Sequence, residues 1–112
     1  MSMHKLNVKE KYYNMLKSGT KTIKLRLYDD KRKNIKIGNS IEFLNNSDAD
    51  DKFTAQVINL HRASNFAELC KKIDCHDAGF ATNNELLKVL KEFFSLNRQN
   101  ELGIVGIEIQ KS

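Results

Sequence analysis

Gly19-Thr20-Lys21-Thr22-Ile23-Lys24-Leu25-Arg26-Leu27-Tyr28 joins a glycine suited to ending a helix to a run that alternates apolar and polar residues. Alternation is the period of a strand, whose successive side chains point to opposite faces. Ile23, Leu25 and Leu27 are then expected to enter a core, with Thr22, Lys24, Arg26 and Tyr28 on the other face. One face packs and the other is free to recognise a ligand. Positive charge continues through Lys31, Arg32, Lys33 and Lys36, so eight of the nineteen Lys and Arg lie between Lys17 and Lys36, against Asp29 and Asp30 alone.

Toward the N-terminus, Val8, Tyr12, Met15 and Leu16 recur at near-helical spacing, which predicts a short amphipathic helix over 8–18 with Gly19 as its left-handed cap. Lys5 to Val8 reads as a first strand or an extended lead into that helix. Toward the C-terminus, Asp29 to Lys36 reads as a polar connection, Ile37-Gly38-Asn39 as a turn and Ser40 to Leu44 as a strand. The polar run Asn45 to Asp51 separates Ile41 and Phe43 from Phe53, Ala55 and Val57, as expected of a hairpin with a solvated tip. The strand from Lys52 to Leu60 delivers His61 and Arg62 at its end.

Asn65-Phe66-Ala67-Glu68 and Thr82-Asn83-Asn84-Glu85 fit capping boxes, predicting one helix to about Ile73 and a second carrying the apolar stripe Leu86, Leu87, Leu90, Phe93 and Phe94. The branched run Ile104-Val105-Gly106-Ile107-Glu108-Ile109 is expected to be a closing strand near the centre of the sheet. This order is α+β, and a small curled or barrel-like sheet of about five to six strands with flanking helices satisfies it.

A chain of 112 residues is expected to form one domain, 1–112, without a linker. The net charge of +5 favours an anionic partner, and the clustering of basic residues strengthens that reading over mere solubility. No apolar segment is long enough to cross a bilayer and the first residues lack a signal-peptide core, so a cytoplasmic location without membrane partners is expected. Cys70 and Cys75 are too few for a disulfide framework and are expected to be free thiols. With His76 and Asp77 they match no zinc spacing, so no metal or other cofactor is expected.

Four segments together resemble the ASCH domains, members of the PUA-like superfamily of small β-barrels associated with RNA. They are Met15 to Lys21, Leu25 to Arg32, Ile37 to Phe43 and Gly103 to Ile109. The family signature of Gly, Lys and Arg is matched at Gly19, Lys21 and Arg26, whereas Lys24 stands where family members commonly have glutamate and some have threonine. A lysine there adds positive charge but removes a candidate acid or base. Crowding of cations could instead lower one lysine's pKa and create an activated amine.

The resemblance implies RNA binding, or binding of a nucleoside or nucleotide, in a basic cleft. Lys21, Lys24 and Arg26 would contact phosphates, Tyr28 would stack a base, and Lys31 and Arg32 would extend the cationic surface. Alternatively Arg26 ties down Glu42 or Glu108, Tyr28 is packing, and Lys31 and Arg32 belong to a solvated loop. The family also includes amidohydrolases acting on acetylated cytidine and members proposed to be ribonucleases. That reading makes Lys21 the key residue, with Thr20 or Thr22 replacing the family threonine and Asp77, less directly, the acid. His61 and His76 are generic acid or base candidates. A docking module for a protein partner is a third option, to be recognised by exposed apolar surface on the helix from Thr82 to Phe94.

Overall fold

The computed structural model describes residues 3–111. The order of elements is β1 (Met3–Val8), α1 (Glu10–Ser18), β2 (Ile23–Leu27), α2 (Asp30–Lys33), β3 (Ser40–Asn45), β4 (Asp48–Ala63), α3 (Phe66–Leu69), α4 (Asn83–Phe93), α5 (Leu96–Leu102) and β5 (Ile104–Lys111). The five strands form one sheet in the order β1-β3-β4-β5-β2, with β1 parallel to β3 and the other pairs antiparallel. The sheet curls into a half-barrel, and β1 and β2 are its two edges.

Both faces of this sheet are apolar. Val105, Ile107 and Ile109 of β5 pack with Leu6, Val8, Ile41, Phe43, Val57 and the α1 residues Tyr13 and Leu16. Ile104 packs on the opposite side with Ile23, Leu25, Leu27, Phe66, Leu69, Leu86 and Leu90. A strand covered on both faces is apolar at nearly every position, as the run from Ile104 to Ile107 is. β2 has the expected division, with Ile23, Leu25 and Leu27 buried and Lys24 and Arg26 half-buried on the other face. Its register sets Lys24 opposite Ile107 and Arg26 opposite Val105, so the cations share a face of the sheet with the first cluster.

Gly19 takes φ +86° and ends α1, donating its N–H to the Leu16 carbonyl. That conformation costs an L side chain roughly 1–2 kcal/mol, which is why glycine stands there. The Asn65 and Thr82 side chains accept from Glu68 N and Glu85 N, as the capping pattern requires.

Several boundaries differ from expectation for local reasons. α3 stops at Leu69 instead of near Ile73, and the chain turns through Asp74, whose Oδ1 accepts from His76 N. α2 forms within the expected polar connection because Asp29 Oδ1 caps it by accepting from Arg32 N. α5 lacks an apolar stripe. It is capped by Ser95 and anchored by buried Gln99, which donates to Phe94 O and accepts from Phe66 N. The hairpin tip narrows to Asn46 and Ser47 because buried Asn45 accepts from Ser47 N, which lets β4 start at Asp48 and run on through His61 and Arg62. Among the described residues, no helix is long and apolar enough to cross a membrane.

Candidate functional site

The edge strands β1 and β2 are not joined by backbone pairing. Arg26 of β2 reaches across, its Nη2 donating to the Asn7 carbonyl of β1 at 2.8 Å. Beside this seam lies a cleft of about 170 Å³ walled by Lys21, Lys24, Leu25 and Arg26, by Asn7, Lys9 and Asn46, and by Tyr12, Phe80 and the α4 end with Val89, Leu90, Phe93 and Phe94. Among the described residues, no carboxylate lines it.

Lys21 is fixed before its charge matters. Its backbone N–H donates to the Met15 carbonyl, and Thr22 N and Ile23 N both donate to the Asp77 carbonyl, docking the start of β2 on the loop that leads to α4. The Lys21 side chain is 3% exposed, and its Nζ donates to the Ala78 carbonyl at 2.5 Å. Its Nζ also lies 5.1 Å from the Tyr12 ring centroid and 5.5 Å from that of Phe80, within range of both rings. Gly79, at φ +90°, leaves room for this stem: a Cβ there would lie 3.0 Å from Met15 Cε and 3.2 Å from Lys21 Cδ. Burial first, and the Arg26 guanidinium second, bring the Lys21 pKa down to about 7.

Lys24 and Arg26 follow the same electrostatics. Burial, then Arg26, Lys21 and Arg32, push the Lys24 pKa well below its ordinary value. Lys24 has no ion pair among the described residues. Burial and then Arg32 lower the Arg26 pKa, with Asp29 opposing. The Nε atoms of Arg26 and Arg32 are buried without a hydrogen-bond partner among the described residues.

The structure therefore brings together Lys21, Lys24 and Arg26 and separates the remaining candidates. Arg32 stands behind them, with Nη1 on Asp29 Oδ2 at 3.1 Å. Lys31 is exposed on α2. Tyr28 does not line the cleft: it packs against the first cluster, with the Arg62 guanidinium 3.5 Å from its ring centroid, so its free face is taken. Asp77 is exposed outside the cleft and contributes its backbone carbonyl. Arg26 meets the Asn7 carbonyl instead of Glu42 or Glu108, and Glu108 pairs with His61 at 2.7 Å.

Asp74, Cys75 and His76 bring one ligand atom each within 4.8 Å, but Asp74 Oδ1 is already engaged by His76 N and Nδ1. Cys70 and Cys75 are free thiols, and burial with the nearby Cys75 raises the Cys70 pKa. No sequence pattern marks the aromatic wall of the cleft. Tyr12, Phe80, Phe93 and Phe94 have the spacing of ordinary core residues, and only their convergence in space turns them toward the cations.

A curled five-stranded half-barrel with flanking helices, opening on a cleft at its seam, is the architecture of a PUA-like α+β domain. The chain belongs to the ASCH domain family, whose model matches residues 6–110. Among solved structures, the hypothetical protein PH0355 is similar at 29% identity and a TM-score of 0.87, over 99% of this chain and 100% of that one. Protein PF0455 from Pyrococcus furiosus is 25% identical with a TM-score of 0.76, over 98% of this chain and 97% of its own. The ASCH protein from Zymomonas mobilis shares the fold at 9% identity and a TM-score of 0.71, over 96% of this chain and 66% of that one. No curated protein matches the sequence.

Proposed function

We propose that this protein binds RNA, or a nucleotide, through the seam cleft. Lys21, Lys24 and Arg26 hold an anionic group there, and the rings of Tyr12, Phe80 and Phe93 offer apolar surface to a base. The observation that carries this reading is the convergence of Lys21, Lys24 and Arg26 on a cleft that, among the described residues, no carboxylate lines. Cations held out of water without counterions are costly, and an anionic ligand relieves the cost. The ASCH family's general association with RNA points the same way. Cytoplasmic residence, where thiols stay reduced, suits the free Cys70 and Cys75.

The test is titration of a short single-stranded RNA, a nucleotide and a nucleoside at low salt with the wild type and with Lys24→Gln. Binding of the RNA or the nucleotide, weakened in the variant without a change in the folded spectrum, is the expected result. Absence of any binding at low salt overturns the reading.

One observation favours a second, enzymatic reading, the amide hydrolysis of an acetylated nucleoside such as acetylcytidine. Lys21, with its pKa near 7, is partly neutral at physiological pH and so able to act as a base or nucleophile. Against it, Lys24 replaces the residue that would partner Lys21, and Asp77 lies outside the cleft. Release of acetate by the wild type and not by Lys21→Ala supports hydrolysis, and equal background rates in both reject it.

A further inference from the structure

After burial, the charges of Arg26, Lys21 and Arg32 lower the Lys24 pKa, and Arg32 is the strongest charge acting on Arg26. Three like charges are thus gathered where β2 and α2 meet. The nearby carboxylate that acts on Arg26 is Asp29, and it is already engaged: Oδ1 accepts from Arg32 N and Oδ2 from Arg32 Nη1. On the opposite wall, Glu85 and Glu92 act on Tyr12 and do not line the cleft. Two guanidinium Nε–H donors, on Arg26 and Arg32, are buried without partners among the described residues. Orphaned donors beside uncompensated cations are costly unless a ligand supplies acceptors and negative charge together.

The charge count favours more than one negative charge. A phosphodiester within a strand carries one, whereas a phosphomonoester carries about two above its second pKa near 6, with three strong acceptor oxygens. Size agrees with charge. At about 170 Å³ the cleft falls below the roughly 300 Å³ at which ordinary ligand pockets begin, which suits an end group better than a run of nucleotides. Resting on the reading of the cleft as a nucleic-acid site, we propose that its ligand is a terminal phosphate, the phosphomonoester of an RNA end or of a free nucleotide, held by Lys24 and Arg26 with Arg32 behind them adding positive charge.

The test compares single-stranded RNAs of one sequence ending in 5′-phosphate, 3′-phosphate or hydroxyl, with a nucleoside and its monophosphate as competitors, at pH 7.5. A phosphate end is expected to tighten binding at least about tenfold, the factor one charge-assisted hydrogen bond supplies. Lys24→Gln and Arg32→Gln are expected to weaken binding of the phosphate-ended RNA more than that of the hydroxyl-ended RNA, reducing the gain to within about threefold. Inorganic phosphate is expected to displace the phosphorylated RNA from the wild type, a check that needs no variant. Competition by the monophosphate equal to that of phosphorylated RNA identifies a free nucleotide, and competition by RNA alone identifies a nucleic-acid end; both support the proposal. Equal affinity for phosphate and hydroxyl ends, or no competition by inorganic phosphate, overturns it and leaves RNA binding standing. No binding of any of these molecules overturns the underlying reading as well.

Discussion

Lys21 combines two roles that pull against each other. Its backbone and Nζ bonds to Met15 and Ala78 hold the entry to β2, while its burial holds an amine with little tolerance for charge. Because its folded pKa of about 7 is below the ordinary 10.5, the unfolded chain binds more protons between those values. Stability contributed through this residue therefore rises with pH across that window, and below pH 7 the penalty for its burial is fully present. Lys21→Met removes the slope. Denaturant unfolding at pH 6, 8 and 10 should show the wild type gaining on the variant as pH rises, by up to about 1.4 kcal/mol per pH unit. A constant difference across that range contradicts the assignment. The charge of Lys21 was legible in its sequence neighbourhood, but its burial was not, because Ala78 and Phe80 that enclose it come from a distant loop. Tyr28 shows the converse: alternation set it on the cationic face, and Arg62 from β4 then occupied its ring.

Among the elements, α4 bears most directly on the cleft, since Val89, Leu90, Phe93 and Phe94 form one of its walls. Its start is fixed by Thr82, whose Oγ1 accepts from Glu85 N at 3.1 Å, while Glu85 Oε2 accepts from Ala81 N. Thr82→Ala should cost about 1 kcal/mol, read as a lowered denaturant midpoint with an unchanged slope. Ligand affinity should fall little if the helix remains docked through Leu86 and Leu90, and a midpoint unchanged within error contradicts the capping role. Elements with an apolar period, such as β2, β5 and α4, could be read from sequence because burial imposes that period. α2 and α5 escaped because side-chain caps and the buried Gln99 hold them in place of an apolar stripe. The acidic run Asp48 to Asp51 hid the start of β4 in the same way, as hairpin geometry extended a strand that hydrophobicity did not mark.

At the scale of the molecule, the sheet leaves β1 and β2 as edges, and Arg26 spans the seam between them. Order and alternation foretold an α+β curled sheet, yet the seam depends on a parallel β1–β3 pairing between strands far apart in sequence. No local pattern encodes that pairing, and so the cleft's outer wall of Asn7, Lys9 and Asn46 was out of reach of sequence reading. The same geometry makes the central claim measurable. A cleft that neutralises phosphates must release counterions on binding, with log K falling against log salt by about 0.7 per phosphate contacted on a single strand. The decisive measurement is this salt dependence for a single-stranded RNA, compared between the wild type and Lys24→Gln. The account predicts a negative slope for the wild type and a weaker affinity with a shallower slope for the variant. Affinity independent of salt, or identical curves for the two proteins, would contradict it.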